Sequence, residues 1–203
     1  MNKNLIRRTA LVASAGAACL MLAACGSNGD ASAGHDGHGS SARASASQGQ
    51  HNAADIAFAK GMIPHHRQAV EMADLAPSRA GSAEVKKLAD EIKKAQGPEI
   101  KTLSGWLTSW GEEIPAEGAM DHSMHGMGGM MTAEDMESLQ KASGKAFDTA
   151  FMEMMIKHHE GAVEMAKTEK ADGSFPDAKK MADAIITSQS AEISRMNSLL
   201  GKS

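Results

Sequence analysis

The chain has no tyrosine, and only four phenylalanines, two tryptophans and two cysteines among its 203 residues. So few aromatics leave little with which to stack nucleic-acid bases. A formal charge of −4 supplies no field to attract a polyanion. No nucleic-acid partner is expected. Long apolar runs are equally scarce. The stretch from Leu11 to Ala24 follows the cations Lys3, Arg7 and Arg8. It is too short to cross a hydrocarbon core of ~30 Å comfortably as a helix, and it reads as a secretory leader over residues 1–24. Cys19 falls inside that leader and Cys25 directly after it. One cysteine alone can build neither a disulfide framework nor a cysteine zinc site in the exported chain.

The segment Leu22-Ala23-Ala24-Cys25-Gly26 resembles a bacterial lipobox. That resemblance implies lipidation at Cys25 and an anchor on the extracytoplasmic face of a bacterial membrane, in the cell envelope or periplasm. Loss of the leader removes three cations and makes the remainder more acidic, which suits metal cations. Residues 25–51 are rich in glycine, serine and alanine, too poor in large apolar side chains to bury a core, and read as a flexible tether. His35 and His38 within it read as polar linker residues. The folded domain is expected over 52–203.

What the chain has in excess is sulfur and imidazole: 16 methionines and 9 histidines. They recur in register. Asp55 to His66 repeats as Asp148 to His159, Ala69-Val70-Glu71-Met72-Ala73 as Ala162-Val163-Glu164-Met165-Ala166, Gln96 as Gln189, and Glu99-Ile100 as Glu192-Ile193. At this one offset of 93 residues roughly 21 of 53 positions from Asp55 to Leu107 are identical, the mark of an internal duplication. Each copy shows two stretches of helical periodicity. Phe58, Met62, His65, Ala69 and Met72 trace the first, and Val85, Leu88, Ile92, Ile100 and Leu103 the second. Pro77 is expected to end the first helix, Pro64 to bend it, and Gly97-Pro98 to kink the second. No alternating run demands a strand. The predicted fold is all-α: a four-helix bundle made of two tandem helical hairpins. Thr132 should cap a short extra helix near residues 133–142.

At 100° per residue Met62, His65, His66, Met72 and Asp55 fall within an arc of about 120°, the width of a core-facing stripe. Met155, His158, His159, Met165 and Asp148 trace the same arc in the second copy. Glu71 and Glu164 fall on the opposite face. Methionine at helical spacing is ordinary core filling. Doubled histidines are different, because a buried imidazole is costly unless it finds a partner. His65, His66, His158 and His159 are therefore candidate metal ligands. The connecting loop 118–131 adds Met120, His122, Met124, His125, Met127, Met130 and Met131, a cluster that packing does not explain in a glycine-rich segment. Thioethers are soft neutral donors that select Cu(I) over magnesium, calcium or zinc. Ag(I) should mimic Cu(I), and Cu(II) is a further candidate. No Glu-x-x-His pair of the di-iron type, no His-Glu-x-x-His and no Cys-x-x-Cys-His occurs.

The doubled pattern D-x-A-F-x-x-x-M-I-x-H-H-x-x-A-V-E-M-A resembles the domain-of-unknown-function family 305, or CopM-like family, over about residues 52–201. The resemblance implies a ferritin-like helical bundle, export from the cytoplasm and copper binding in copper tolerance. It implies Met62, His65, His66, Met72, Met155, His158, His159 and Met165 as ligands. The expected function is thus a membrane-anchored copper binder that buffers the ion or delivers it to an exchange partner. It is not expected to be an enzyme. The alternatives are a ferritin-like metal-dependent oxidase, for which the stripe offers only Asp55 and Asp148 as repeated carboxylates, and a structural envelope protein whose methionines and histidines merely pack.

Overall fold

The computed structural model describes residues 50–117 and 128–202. The leader, Cys25, the tether as far as residue 49, and the loop residues Met120, His122, Met124, His125 and Met127 lie outside the described residues. Within them the domain is all-helical, with five helices: α1 (Ala53–Arg79), α2 (Ala83–Trp110), α3 (Ala133–Lys141), α4 (Gly144–Asp172) and α5 (Pro176–Leu199). No described helix is long and apolar enough to cross a membrane. α1 packs on α2 and α4 on α5, as the two copies require, and α1 lies against α4.

The helices start where the caps are. Asn52 and Asp55 form a capping box at α1, Ser82 accepts from Val85 N–H at α2, and Thr132 with Asp135 makes a second box at α3. The helix-ending role expected of Pro77 does not hold: α1 runs through it to Arg79. Only one ladder bond is lost there, and the Ala80 N–H still closes the last turn on the Ala76 carbonyl at 2.9 Å. α1 also continues through Pro64, and α2 through Pro98.

Two aspartates tie the hairpins together. Asp55 at the start of α1 accepts from the Ser174 and Phe175 N–H groups at the start of α5. Asp148 at the start of α4 accepts from Gly81 and Ser82 at the start of α2. These pairs sit 93 residues apart, so each copy caps the second helix of the other. α1 and α4 consequently run antiparallel, related by a pseudo-twofold axis across the bundle. The connection from α2 to α4 must travel the length of the domain.

The core divides in two along α1. Phe58, Ala59, Met62 and Ile63 join Leu103, Leu107, Ala162, Ala166, Ala178, Ala182 and Ile185 in one buried cluster. Ala69, Met72, Ala73 and Ala76 join Val85, Leu88, Ile92, Met131, Phe147, Phe151 and Met155 in the other. His65 and His66 fall between them.

Candidate metal centre

All four expected histidines point inward, each with 0% relative exposure. The axis brings His65 of α1 against His158 of α4, with ring centroids 3.7 Å apart and planes tilted by 42°. Neither ring nitrogen of either residue has a hydrogen-bond partner. Burial pushes His65 down to about 3, reinforced by the charge His66 can carry and opposed by the adjacent Gly128 backbone. Burial first, and then His65, holds His158 well below the ordinary imidazole range. Both rings are therefore neutral at pH 7, and each keeps a buried lone pair.

The outer histidines are held differently. His66 Nε2 donates to Glu99 Oε2 at 2.8 Å, and His159 Nε2 to Glu192 Oε2 at 2.6 Å. An ionised carboxylate can only accept, so Nε2 carries the hydrogen, and in the neutral ring Nδ1 keeps its lone pair. Both Nδ1 atoms are buried and unpartnered. A carboxylate that fixes the tautomer and orientation of an imidazole is a recurrent arrangement behind metal-binding histidines. The repeated carboxylates of the histidine stripe are Asp55 and Asp148, whereas those that reach the rings come from the facing helix. Their signal was present in the repeat: Glu99 and Glu192 each stand 33 residues after the second histidine of their copy.

Asp55 and Asp148 share the expected inward stripe and are buried, at 0% and 8% exposure, but their oxygens are taken by backbone amides. They are caps, and a ligand role for them is not supported. Glu71 and Glu164 are exposed, as expected. Met62 and Met155, each one turn before the first histidine of its pair, are fully buried. Met72 is fully buried and packs with Met131 and Met155, while Met165 is only partly buried. Seven residues separate Met72 from His65 and Met165 from His158, which is about 10 Å along a helix. Met62 and Met155, three residues before His65 and His158, are nearer the histidines along their own helices.

Of the loop's methionines, Met130 is half-buried and Met131 is 4% exposed. The Gln68 amide grips Met131 on both sides, accepting from its N–H at 2.7 Å and donating to its carbonyl at 2.8 Å. Gly161 stands at the position equivalent to Gln68. A Cβ there would lie 1.8 Å from the Gly128 carbonyl oxygen, so only glycine admits the chain beside His158. Among the described residues no three His, Cys, Asp or Glu side chains converge as a ready cage. Any ion held at the paired imidazoles must accept few ligands or complete its shell with sulfur, which is a Cu(I) or Ag(I) preference.

The fold and site define a helical domain built from two copies of one hairpin, with unpartnered imidazoles buried where the copies meet. Residues 55–200 match the family described as Domain of unknown function (DUF305), and the chain belongs to that family. A DUF305 protein of Streptomyces coelicolor, described as a candidate secreted protein, is 34% identical with a TM-score of 0.67, the match covering 73% of this chain and 91% of that one. CopM in its Cu(I)-bound form is 36% identical with a TM-score of 0.61, over 71% of this chain and 94% of CopM. Its Cu(II)-bound form gives 36% and 0.62 over the same shares. A silver-bound form of CopM gives 35% and 0.59, over 71% and 93%. No curated protein sequence matches the chain.

Proposed function

We propose that this protein binds soft coinage-metal ions, Cu(I) first and Ag(I) as its mimic, with Cu(II) accepted as well. It acts as an extracytoplasmic buffer or carrier, held to the membrane by lipid on Cys25, and not as an enzyme. The bundle is read as ferritin-like, with one long crossover between its hairpins. One observation carries the reading: six imidazole nitrogens of His65, His66, His158 and His159 are buried with no partner. A protein that packs histidines for structure alone satisfies at least one nitrogen of each. The binding of Cu(I), Cu(II) and silver by CopM supports the same chemistry. The ligands proposed are the ring nitrogens of the four histidines with the sulfurs of Met62 and Met155.

Competition titration of the apo chain with Cu(I) against a chromogenic chelator tests this. Wild type should take up the ion, and the His65→Ala, His158→Ala double variant should lose that uptake while remaining helical by circular dichroism. Equal uptake by both would refute the site. A purely structural role predicts the same melting temperature with and without copper, whereas a ligand of the native state must raise it by mass action.

A further inference from the structure

The two histidine motifs part company three residues on: Gln68 follows His65, and Gly161 holds the equivalent place after His158. Both residues meet one segment, the chain that leads into α3. Residues 128–131 cross there from α4 to α1. Gly128 packs on Gly161, with its backbone beside the His65 ring, and Met131 is gripped by Gln68. Gly129 between them has a φ of 88°, and a Cβ on it would lie 2.5 Å from the Lys157 carbonyl oxygen and 3.0 Å from that of His158. Only glycine lets the backbone come this close. The paired rings beneath are fully buried, yet Gly128 is exposed and Gly129 and Met130 are half-buried. At Gly128 a single layer of backbone separates the His65 ring from water.

Two hydrogen bonds hold that layer down, and Gln68 makes both. Its Oε1 accepts from the Met131 N–H at 2.7 Å, and its Nε2 donates to the Met131 carbonyl at 2.8 Å. Among the described residues the segment has no other hydrogen bond. The two copies cannot exchange roles. Glycine at position 68 would leave both Met131 groups unpaired in a buried place, and a side chain at 161 would strike the Gly128 carbonyl. The duplication keeps the histidines and specialises this one position, as a clamp in the first copy and a seat in the second.

We propose that residues 128–131 are the cover through which an ion reaches and leaves the His65–His158 pair, and that Gln68 is the latch that sets how often it opens. This rests on the proposed metal binding at the histidines. The cover supplies no ligand. It opens by local unfolding of a short non-helical segment, so the latch acts on the rates of entry and exit alike and leaves affinity alone. Gln68 is a positioning residue, which works through the backbone of Met131.

The test combines amide exchange at Met131 with anaerobic stopped-flow kinetics on the full chain. Two rates are followed: loading of the apo protein with Cu(I), and extraction of Cu(I) from the loaded protein by excess chromogenic chelator. Gln68→Ala should speed Met131 exchange, loading and extraction about tenfold, because two hydrogen bonds to buried backbone are lost. Its affinity for Cu(I) should stay within a few-fold of wild type. Gly161→Ala pushes on the cover from its other end and should move all three rates in the same direction, with circular dichroism confirming that each variant folds. Faster exchange at Met131 with loading and extraction at wild-type rates overturns the cover, because the ion then passes elsewhere. Unchanged exchange in Gln68→Ala overturns the latch. Faster extraction with unchanged loading also overturns the proposal, since affinity then falls and the segment ligates the ion. Wild type that takes up no Cu(I) refutes the histidine site itself, a result distinct from a cover that fails in a protein that binds.

Discussion

An imidazole with both nitrogens unsatisfied in a dry interior costs stability of the order of 1–3 kcal/mol per group. His65 and His158 carry that cost together on the pseudo-twofold axis. Replacing one by an apolar side chain of similar size should therefore strengthen the apo fold while removing a ligand. His158→Leu is expected to raise the unfolding free energy of the apo protein, measured in urea, by about 1 kcal/mol or more, and to abolish the rise in melting temperature caused by Cu(I). A lower apo midpoint would mean that the ring is satisfied in solution. The outer pair permits a finer experiment. The double variant Glu99→Ala, Glu192→Ala frees the His66 and His159 rings and should weaken Cu(I) binding roughly 10–100-fold. Glu99→Gln with Glu192→Gln should bind within a few-fold of wild type, because the amide oxygen still accepts from Nε2–H. Loss in the glutamine pair equal to that in the alanine pair would make the carboxylates direct ligands.

At the scale of elements, much of the framework was legible because it is local and periodic. The 93-residue repeat announced two hairpins, and Thr132 announced α3. The inward stripe placed the histidine pairs and turned Glu71 and Glu164 outward. What was not legible depends on the partner helix. Asp55 and Asp148 looked like spare carboxylates because the amides they cap lie on α5 and α2, in the opposite copy. Glu99 and Glu192 looked like markers of the repeat, since nothing within one helix says that they face a histidine on another. The tight seat of Gly128 on Gly161 likewise needs both segments in place. Removing a cap and overfilling a contact should separate these roles. Asp148→Ala exposes two orphan amides at the head of α2 and should cost about 1–2 kcal/mol in chemical denaturation without changing metal stoichiometry. Gly161→Ala collides with the Gly128 carbonyl and should cost about 1–3 kcal/mol. It should also speed amide exchange at Met131, because the stem held by Gln68 must shift. Unchanged exchange at Met131 would show that the contact with α4 does not hold the crossover.

For the whole molecule, two buried sites of opposite proton preference shape the dependence of stability on pH. His65 and His158 are neutral in the fold and titrate near 6.5 when unfolded, so the unfolded chain binds more protons below that value. Stability is therefore lost as pH falls from about 6.5 toward 3. Glu169 behaves in reverse. It is 1% exposed, neither oxygen has a donor, and Gly173 crowds it. Burial first, and then the Asp55 carboxylate beside it, raise it from 4.5 to about 8, against a weaker pull from Lys179. The native fold thus keeps Glu169 protonated where the unfolded chain would release the proton, and stability falls as pH rises from about 4.5 to about 8. Between 4.5 and 6.5 two histidines outweigh one glutamate, and above 6.5 the glutamate acts alone, so the apo melting temperature should peak near pH 6.5. Ala76 occupies the equivalent position in the other copy, which makes the alkaline limb the property of one side chain. Glu169→Gln should flatten that limb and leave the acid limb standing, while His158→Leu should make the acid limb shallower and leave the alkaline one. Melting curves from pH 4 to 9 in the absence of metal decide the matter, and an alkaline slope that survives Glu169→Gln would place the buried proton elsewhere.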